Sequence, residues 1–134
     1  MKHEELIQHA IAVRERAYAP YSRFHVGAAV LTTDGELFLG ANVENASYGL
    51  TICAERSAIV AAISSGARKL AKLAVVSGPG ASMCGACRQV LVEFADEDTE
   101  ILLSDPEGQY RIAHMQDLLP GSFDPADLPG HGTS

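Results

Sequence analysis

All three cysteines of the chain lie in two short segments that could together hold a metal ion. Cys53 is followed two residues later by Glu55, and Cys84 and Cys87 form a Cys-x-x-Cys pair further along. Zinc is bound tetrahedrally, and a catalytic zinc takes three protein ligands and leaves the fourth position to water. Three thiols therefore predict a catalytic zinc site, with Glu55 as the acid that moves protons to and from that water.

Other interpretations of these residues fit less well. A thioredoxin-type redox pair would leave Cys53 and Glu55 without a role, and the Cys-x-x-Cys does not follow the opening strand of such a unit. A structural zinc site needs a fourth ligand, but the five histidines form no pair at ligand spacing. Glu55 could be an ordinary solvated glutamate in a first helical turn, but its place beside a metal ligand favours a catalytic role.

Arg56 addresses a charge problem that three thiolates create. Three thiolates and one Zn²⁺ have a net charge of −1. This negative charge makes the zinc-bound water less acidic. A guanidinium that donates hydrogen bonds to the sulfurs would restore the acidity of that water. The alternative role for Arg56 is that of an ordinary surface cation.

The composition favours a small, weakly charged ligand. The 134 residues carry ten basic and seventeen acidic side chains, a net charge of −7, and contain no basic stripe of the kind a nucleic-acid partner requires. No apolar stretch approaches the roughly 20 residues of a membrane helix, and no secretory leader is visible. We expect one cytoplasmic domain over residues 1–134, with residues 124–134 partly mobile and the thiols kept reduced.

Hydrophobic spacing and turn residues predict the order α-β-β-α-β-α-β-β-α. The predicted helices span residues 4–18, 53–64, 85–94 and 115–119, and the predicted strands span residues 24–33, 36–41, 72–77, 100–104 and 109–113. This order indicates an α/β fold, a three-layer αβα sandwich with a mixed five-stranded sheet. Cys53 and the Cys84–Cys87 pair would each begin a helix, where the positive helix end favours thiolates.

Four motifs of the chain, one of them in two segments, resemble the signatures of the zinc-dependent cytidine deaminases. They are residues 19–29 (APYSRFHVGAA), residues 42–50 (NVENASYGL), the pair CAE and CGACRQ at residues 53–55 and 84–89, and residues 118–123 (LLPGSF). The resemblance extends over most of the chain and points to the short, homotetrameric branch of the family. It implies hydrolytic deamination of cytidine and deoxycytidine to uridine and deoxyuridine, with release of ammonia, in pyrimidine salvage.

The resemblance also implies a catalytic role for each matching position. Cys53, Cys84 and Cys87 would bind one Zn²⁺ per subunit, and Glu55 would shuttle protons. The backbone carbonyl of Ser82 would meet the departing amine.

The same resemblance implies the substrate contacts. Phe24 would pack on the pyrimidine ring, Asn42 and Glu44 would bind the ribose hydroxyls, and the backbone amide of Ala54 would hold the base carbonyl. Outside these longer motifs, Asn42 and Glu44 would suggest an ordinary polar loop, and Phe24 would suggest a residue of the core. Tyr48 and Phe123 match positions through which neighbouring subunits complete each pocket.

One position departs from the family pattern, because Met83 replaces the proline that usually precedes the second zinc cysteine. Methionine restores backbone freedom and an N–H next to the metal. We expect a modest loss of preorganisation, on the order of 1 kcal/mol.

Two other functions remain open from the sequence. One is a sister deaminase that acts on a different aminopyrimidine, such as a nucleoside antibiotic. The other is a non-catalytic binding module stabilised by zinc, for which Glu55→Gln would leave both metal content and activity untouched.

Overall fold

The computed structural model describes residues 1–80 and 83–121. Its elements are α1 (His3–Arg14), β1 (Gly27–Thr32), β2 (Leu37–Ala41), a short 3₁₀ helix (Tyr48–Leu50), α2 (Ala54–Ser64), β3 (Leu70–Val76), α3 (Gly85–Phe94), β4 (Glu100–Ser104), β5 (Tyr110–Ala113) and α4 (Met115–Leu118). The predicted order of helices and strands is therefore confirmed. None of the helices in this described part has the length and apolar character needed to cross a membrane.

The five strands form one mixed sheet in the order β2-β1-β3-β4-β5. β3 and β4 are parallel, and the other neighbouring pairs are antiparallel. The turn between β1 and β2 is closed by Gly35, which has a φ of +86° and donates its N–H to the carbonyl of Thr32. A left-handed residue of this kind is what the Asp34-Gly35 sequence predicts.

Helices cover both faces of the sheet, which confirms the three-layer αβα architecture. α1 packs on one face, and α2 packs on the other with α3 and α4 beside it. A hydrophobic core lies on each face of the sheet. Because side chains alternate along a strand, each central strand contributes residues to both cores. On the α1 side the buried strand residues are Ala29, Leu31, Ala74, Val76 and Leu102. On the α2 side they are Ala28, Val30, Leu70, Leu73, Val75, Ile101 and Leu103.

The two largest differences between predicted and observed boundaries lie at the end of α1 and the start of β1, and tertiary contacts explain both. α1 ends at Arg14 instead of continuing to Tyr18, because Tyr18 forms a β-bridge with Val43. β1 begins at Gly27 instead of Phe24. The intervening backbone is bound by the side chain of Asn42, which accepts from the N–H of Val26 at 2.9 Å and donates to the carbonyl of Phe24 at 2.7 Å.

Gly40 allows β2 to approach the first turns of α2. A Cβ atom at this position would lie 2.5 Å from the backbone nitrogen of Ala58 and 2.6 Å from the carbonyl oxygen of Ala54. Real Cβ atoms do not come this close to backbone atoms, so only glycine fits without a shift of the helix. Gly40 thus fixes the distance between the sheet and the helix that begins next to Cys53.

Candidate metal centre and active site

The three cysteine side chains converge although they come from distant parts of the chain. Cys53 is the N-cap residue of α2, Cys84 is the N-cap residue of α3, and Cys87 lies in the first turn of α3. Their sulfur atoms all lie within 4.8 Å of one another, and the Sγ atoms of Cys53 and Cys84 are 3.8 Å apart. Two thiolates at about 2.3 Å from a tetrahedral zinc would be separated by about 3.8 Å. The donor set therefore fits a zinc ion.

In the absence of a cation, the electrostatics of the cluster favour the thiolate of Cys53 and oppose that of Cys87. A hydrogen bond from Cys87, with others from Cys84 and Arg56, lowers the pKa of Cys53 to about 5. The same hydrogen bond raises the pKa of Cys87, and burial and the charge of Glu55 raise it further. A central cation reverses this opposition, because a coordinated thiol is deprotonated outright.

Helix ends also contribute to the cluster. The N-terminus of a helix carries partial positive charge and unpaired N–H groups. At α3 the backbone N–H of Cys87 donates to the Sγ of Cys84 at 3.4 Å. The N-termini of α2 and α3 therefore supply the thiols and also part of the positive electrostatic potential that stabilises thiolates.

Glu55 lies in the first turn of α2 and is only 5% exposed. Burial raises the pKa of its carboxyl group, and the charge of Cys53 adds to this effect. A carboxyl with a raised pKa is better suited to exchange protons near neutral pH than an ordinary glutamate. This position differs from the solvated glutamate that we considered as the alternative.

The guanidinium of Arg56 lies beside Cys53, whose pKa it lowers through its charge and a hydrogen bond. Its Nη2 donates to the carbonyl of Thr51 at 3.3 Å. Its Nε is buried without a hydrogen-bond partner among the described residues. A buried, unpaired donor next to a group of thiols is consistent with the predicted hydrogen bonding to sulfur.

A cavity of about 260 Å³ opens beside the cysteines. Its lining includes Cys53, Cys84 and Glu55, together with four of the six residues expected to bind the substrate, which are Phe24, Asn42, Glu44 and Ala54. The volume is close to the lower end of the range of about 300–1,000 Å³ for small-molecule sites. The structure thus brings together two of the thiols, the buried acid and four of the expected binding residues in one concave site, and the third thiol, Cys87, lies in the same sulfur cluster.

Asn42 and Glu44 also organise the segment that carries Phe24. The side chain of Asn42 binds the backbone on both sides of His25, as described above. The carboxylate of Glu44 accepts hydrogen bonds from the backbone N–H groups of Tyr21 and Ser22 at 3.0 and 3.1 Å, and from the Ser22 hydroxyl. These bonds hold Phe24, which is 45% exposed, at the cavity.

Among the described residues, Tyr48, Cys87 and Arg56 are expected site residues that do not line this cavity; Cys87 belongs to the thiol cluster, and Arg56 lies beside Cys53. Tyr48 is 75% exposed and packs edge-on against Tyr21, with ring centroids 6.1 Å apart. It lines a neighbouring cavity of about 330 Å³ together with Ser22, Glu44 and Thr51. Ser82 and Phe123 lie outside the described residues.

Sequence reasoning assigned no role to Ser22 or Arg88, which have notable contacts here. Arg88 donates from its Nε to the carbonyl of Met83 at 2.8 Å and from its Nη1 to the carbonyl of Leu118. Ser22 connects Glu44 to the backbone of Phe24. Both residues lie within segments that carry the family resemblance, but their partners are distant in sequence. The only sequence signal for Ser22 and Arg88 was their position within these motifs.

Comparison with known proteins gives consistent matches. The family described as the cytidine and deoxycytidylate deaminase zinc-binding region matches residues 1–103. A cytidine deaminase from Halalkalibacterium halodurans is 48% identical over 130 residues, which cover 96% of this chain and 98% of that protein. The crystal structure of cytidine deaminase from Burkholderia pseudomallei has a TM-score of 0.87 and 49% identity, and covers 92% of this chain and 100% of that chain. The corresponding structure from Mycobacterium tuberculosis has a TM-score of 0.80 and 43% identity, covering 92% and 98%.

Proposed function

This chain belongs to the cytidine and deoxycytidylate deaminase family, and from that premise we propose that it deaminates cytidine and deoxycytidine by hydrolysis, releasing ammonia and the uracil nucleosides. It is an enzyme of the cytidine deaminase type with a zinc cofactor. The observation that carries the proposal is the position of a buried acid, Glu55, in a cavity lined by Cys53 and Cys84, whose sulfur atoms converge with that of Cys87. A redox pair or a closed structural zinc site would need no such acid.

Cys53, Cys84 and Cys87 would hold the zinc ion. Zinc bound there would supply a water molecule that is acidic enough to react at neutral pH. In our proposal Glu55 takes a proton from the attacking water and gives one to N3 of the cytosine ring while the water oxygen attacks C4. Glu55 then passes the second water proton to the departing amine. Water and cytidine thus yield uridine and ammonia with all protons accounted for.

The other cavity residues would orient the nucleoside. Phe24 offers an aromatic surface for the pyrimidine, and Asn42 and Glu44 offer polar groups for the ribose hydroxyls. The backbone N–H of Ala54, at the first position of α2, is one of the groups that a helix leaves unpaired. We propose that it binds the carbonyl oxygen of the base, while Ser82 stays the predicted partner of the departing amine.

We further propose a homotetramer in which Tyr48 and Phe123 reach the pocket of a neighbouring subunit. The large exposure of Tyr48 and of Leu50, which is 66% exposed, supports a partner surface at this place.

The three free thiols suit a reducing compartment, so we propose a cytoplasmic role in pyrimidine salvage. The net charge of −7 supports a nucleoside rather than a nucleic acid as the substrate.

The decisive experiment measures the ultraviolet change from cytidine to uridine together with bound zinc. We expect Glu55→Gln to retain its zinc and to lose turnover by several orders of magnitude, because a proton carrier is removed without loss of a ligand. Glu97→Gln, a substitution of an exposed glutamate between α3 and β4, is the matched control and should retain full activity.

Two outcomes would replace this proposal. If the wild type converts no aminopyrimidine, and Glu55→Gln leaves both its zinc content and any other activity untouched, the chain is a zinc-stabilised module without this chemistry. If cytidine is not converted but another aminopyrimidine is, the enzyme is a sister deaminase with a different substrate.

A further inference from the structure

The backbone that leads into Phe24 has a conformation that must be held in place. Arg23 has a φ of +62° and is the only described residue other than glycine in the left-handed region. Residues with a side chain rarely adopt this conformation, so surrounding contacts have to maintain it. One of these contacts is the hydrogen bond from the N–H of Arg23 to the carbonyl of Ala19, at 3.0 Å.

Ser22, immediately before this turn, makes two hydrogen bonds with its hydroxyl group. The hydroxyl oxygen accepts from the N–H of Phe24 at 3.0 Å, and the hydroxyl proton is donated to Oε2 of Glu44. The direction of the second bond is determined by chemistry, because an ionised carboxylate can only accept. Glu44 stays ionised, since the hydrogen bond from Ser22 and the nearby backbone N–H groups lower its pKa.

The described residues fill most, but not all, of the hydrogen-bond acceptor positions of the Glu44 carboxylate. Oε1 accepts two backbone N–H groups, and Oε2 accepts the hydroxyl of Ser22. A carboxylate has about four acceptor positions, so one position is left for a ligand in the cavity that Glu44 lines. From the described residues Oε2 receives only the Ser22 hydroxyl, so the remaining lone pair belongs to the oxygen that Ser22 orients.

We propose that Ser22 is a positioning residue for the sugar of the substrate and that it acts through Glu44. This inference rests on the proposed function, in which Glu44 binds a ribose hydroxyl. Ser22 fixes the orientation of the carboxylate before the nucleoside arrives, and preorganised groups bind with a smaller entropic cost. Ser22 therefore contributes to KM and leaves the proton transfers of Glu55 unchanged.

The test compares Ser22→Ala and Ser22→Thr with the wild type, on cytidine and on 2′,3′-dideoxycytidine as a competitive inhibitor. We expect Ser22→Ala to raise KM for cytidine about tenfold, the scale of one hydrogen bond to a charged group, with kcat within about twofold. The inhibition constant of the dideoxynucleoside should not change, because it lacks both hydroxyls that Glu44 could bind. Ser22→Thr keeps the hydroxyl and should restore KM.

A second measurement distinguishes this role from a general loosening of the loop. In a Glu44→Gln background, adding Ser22→Ala should have little further effect on KM, because the two residues act as one unit. Zinc content and the thermal midpoint of Ser22→Ala should match those of the wild type, since Ser22 is exposed.

The outcomes that overturn the inference are distinct from failure of the proposed function. An unchanged KM in Ser22→Ala overturns it, and so does an equal loss for cytidine and the dideoxynucleoside, which would mean that Ser22 acts through Phe24. A wild-type enzyme without activity on cytidine would instead overturn the proposed function, and the inference with it.

Discussion

The opposite pKa shifts of Cys53 and Cys87 give Arg56 a clear physical role. The pKa of Cys53 is lowered and that of Cys87 is raised, and the guanidinium of Arg56 contributes to the lowering at Cys53. Each additional thiolate adds negative charge in a partly buried site, where charge interactions are poorly screened. A fixed cation beside the sulfurs offsets part of this charge without occupying a ligand position.

We predict that Arg56→Gln lowers the affinity for zinc by about 10- to 100-fold, the usual cost of losing a group that supports metal ligands. Chelator competition measures this directly. Arg68 is a matched control at the opposite end of α2, where it donates to the carbonyls of Ile63 and Ala67. If Arg56→Gln and Arg68→Gln bind zinc equally well, Arg56 has no role in charge compensation.

Met83 takes the place of the expected proline, but its surroundings supply a different restraint. Its side chain is 4% exposed and belongs to the core on the α2 side of the sheet. Its carbonyl accepts a hydrogen bond from Arg88. This bond holds the backbone just before Cys84, and so compensates for part of the rigidity that proline would provide.

We therefore predict that Met83→Pro leaves kcat on cytidine within about twofold and lowers the free energy of unfolding by about 1 kcal/mol, since a buried side chain is exchanged for a smaller one. Steady-state assays and denaturant titrations measure the two quantities. A several-fold rise in kcat would show that proline was the missing restraint and that Arg88 does not replace it.

At the scale of elements, the position of α2 depends on its close contact with β2 at Gly40. α2 begins next to a zinc ligand and carries Glu55 in its first turn, so any outward shift of this helix moves both groups. Gly27 makes an equally close contact between β1 and α1, where a Cβ atom would lie 2.1 Å from the carbonyl oxygen of Ala10. That contact lies on the opposite face of the sheet from the cysteines.

The two glycines form a matched pair for experiment. We predict that Gly40→Ala and Gly27→Ala both lower the free energy of unfolding, by about 1–3 kcal/mol, because each overpacks a close contact. Only Gly40→Ala should also weaken zinc binding. Denaturant titrations and chelator competition provide the two readouts, and equal zinc affinities in the two variants would argue against control of the site by α2.

The sequence predicted the order of elements from local signals, and the meeting of the cysteines from their suitability as zinc ligands. Helix starts, turn residues and hydrophobic spacing act over a few residues, and α3 and β4 were predicted with the bounds they have in the structure. The end of α1 was wrong because Tyr18 pairs with a distant strand residue, Val43. The contacts of Ser22 and Arg88 were missed for the same reason, since spacing along the chain does not encode such pairings.

At the scale of the whole molecule, several apolar side chains beside the cavity are exposed. We define this rim surface as Val43, Tyr48, Leu50 and Ile52, which are 45–75% exposed. Val43 and Ile52 form a β-bridge, so the rim surface is continuous with the loop that carries Glu44. Exposed apolar groups that lie together, rather than singly, are typical of surfaces that bind a partner.

We predict that Leu50→Asp dissociates the proposed tetramer, because it places a charge where the rim surface would be buried against a second copy. Light scattering should show a lower mass than for the wild type. Activity per chain should fall with the mass if neighbouring subunits complete each pocket through Tyr48. Ile112→Asp, on β5 at the sheet edge opposite β2, is the control and should keep both mass and activity. A monomeric wild type with full activity would refute the shared pocket, because a single chain would then contain every group that the reaction requires.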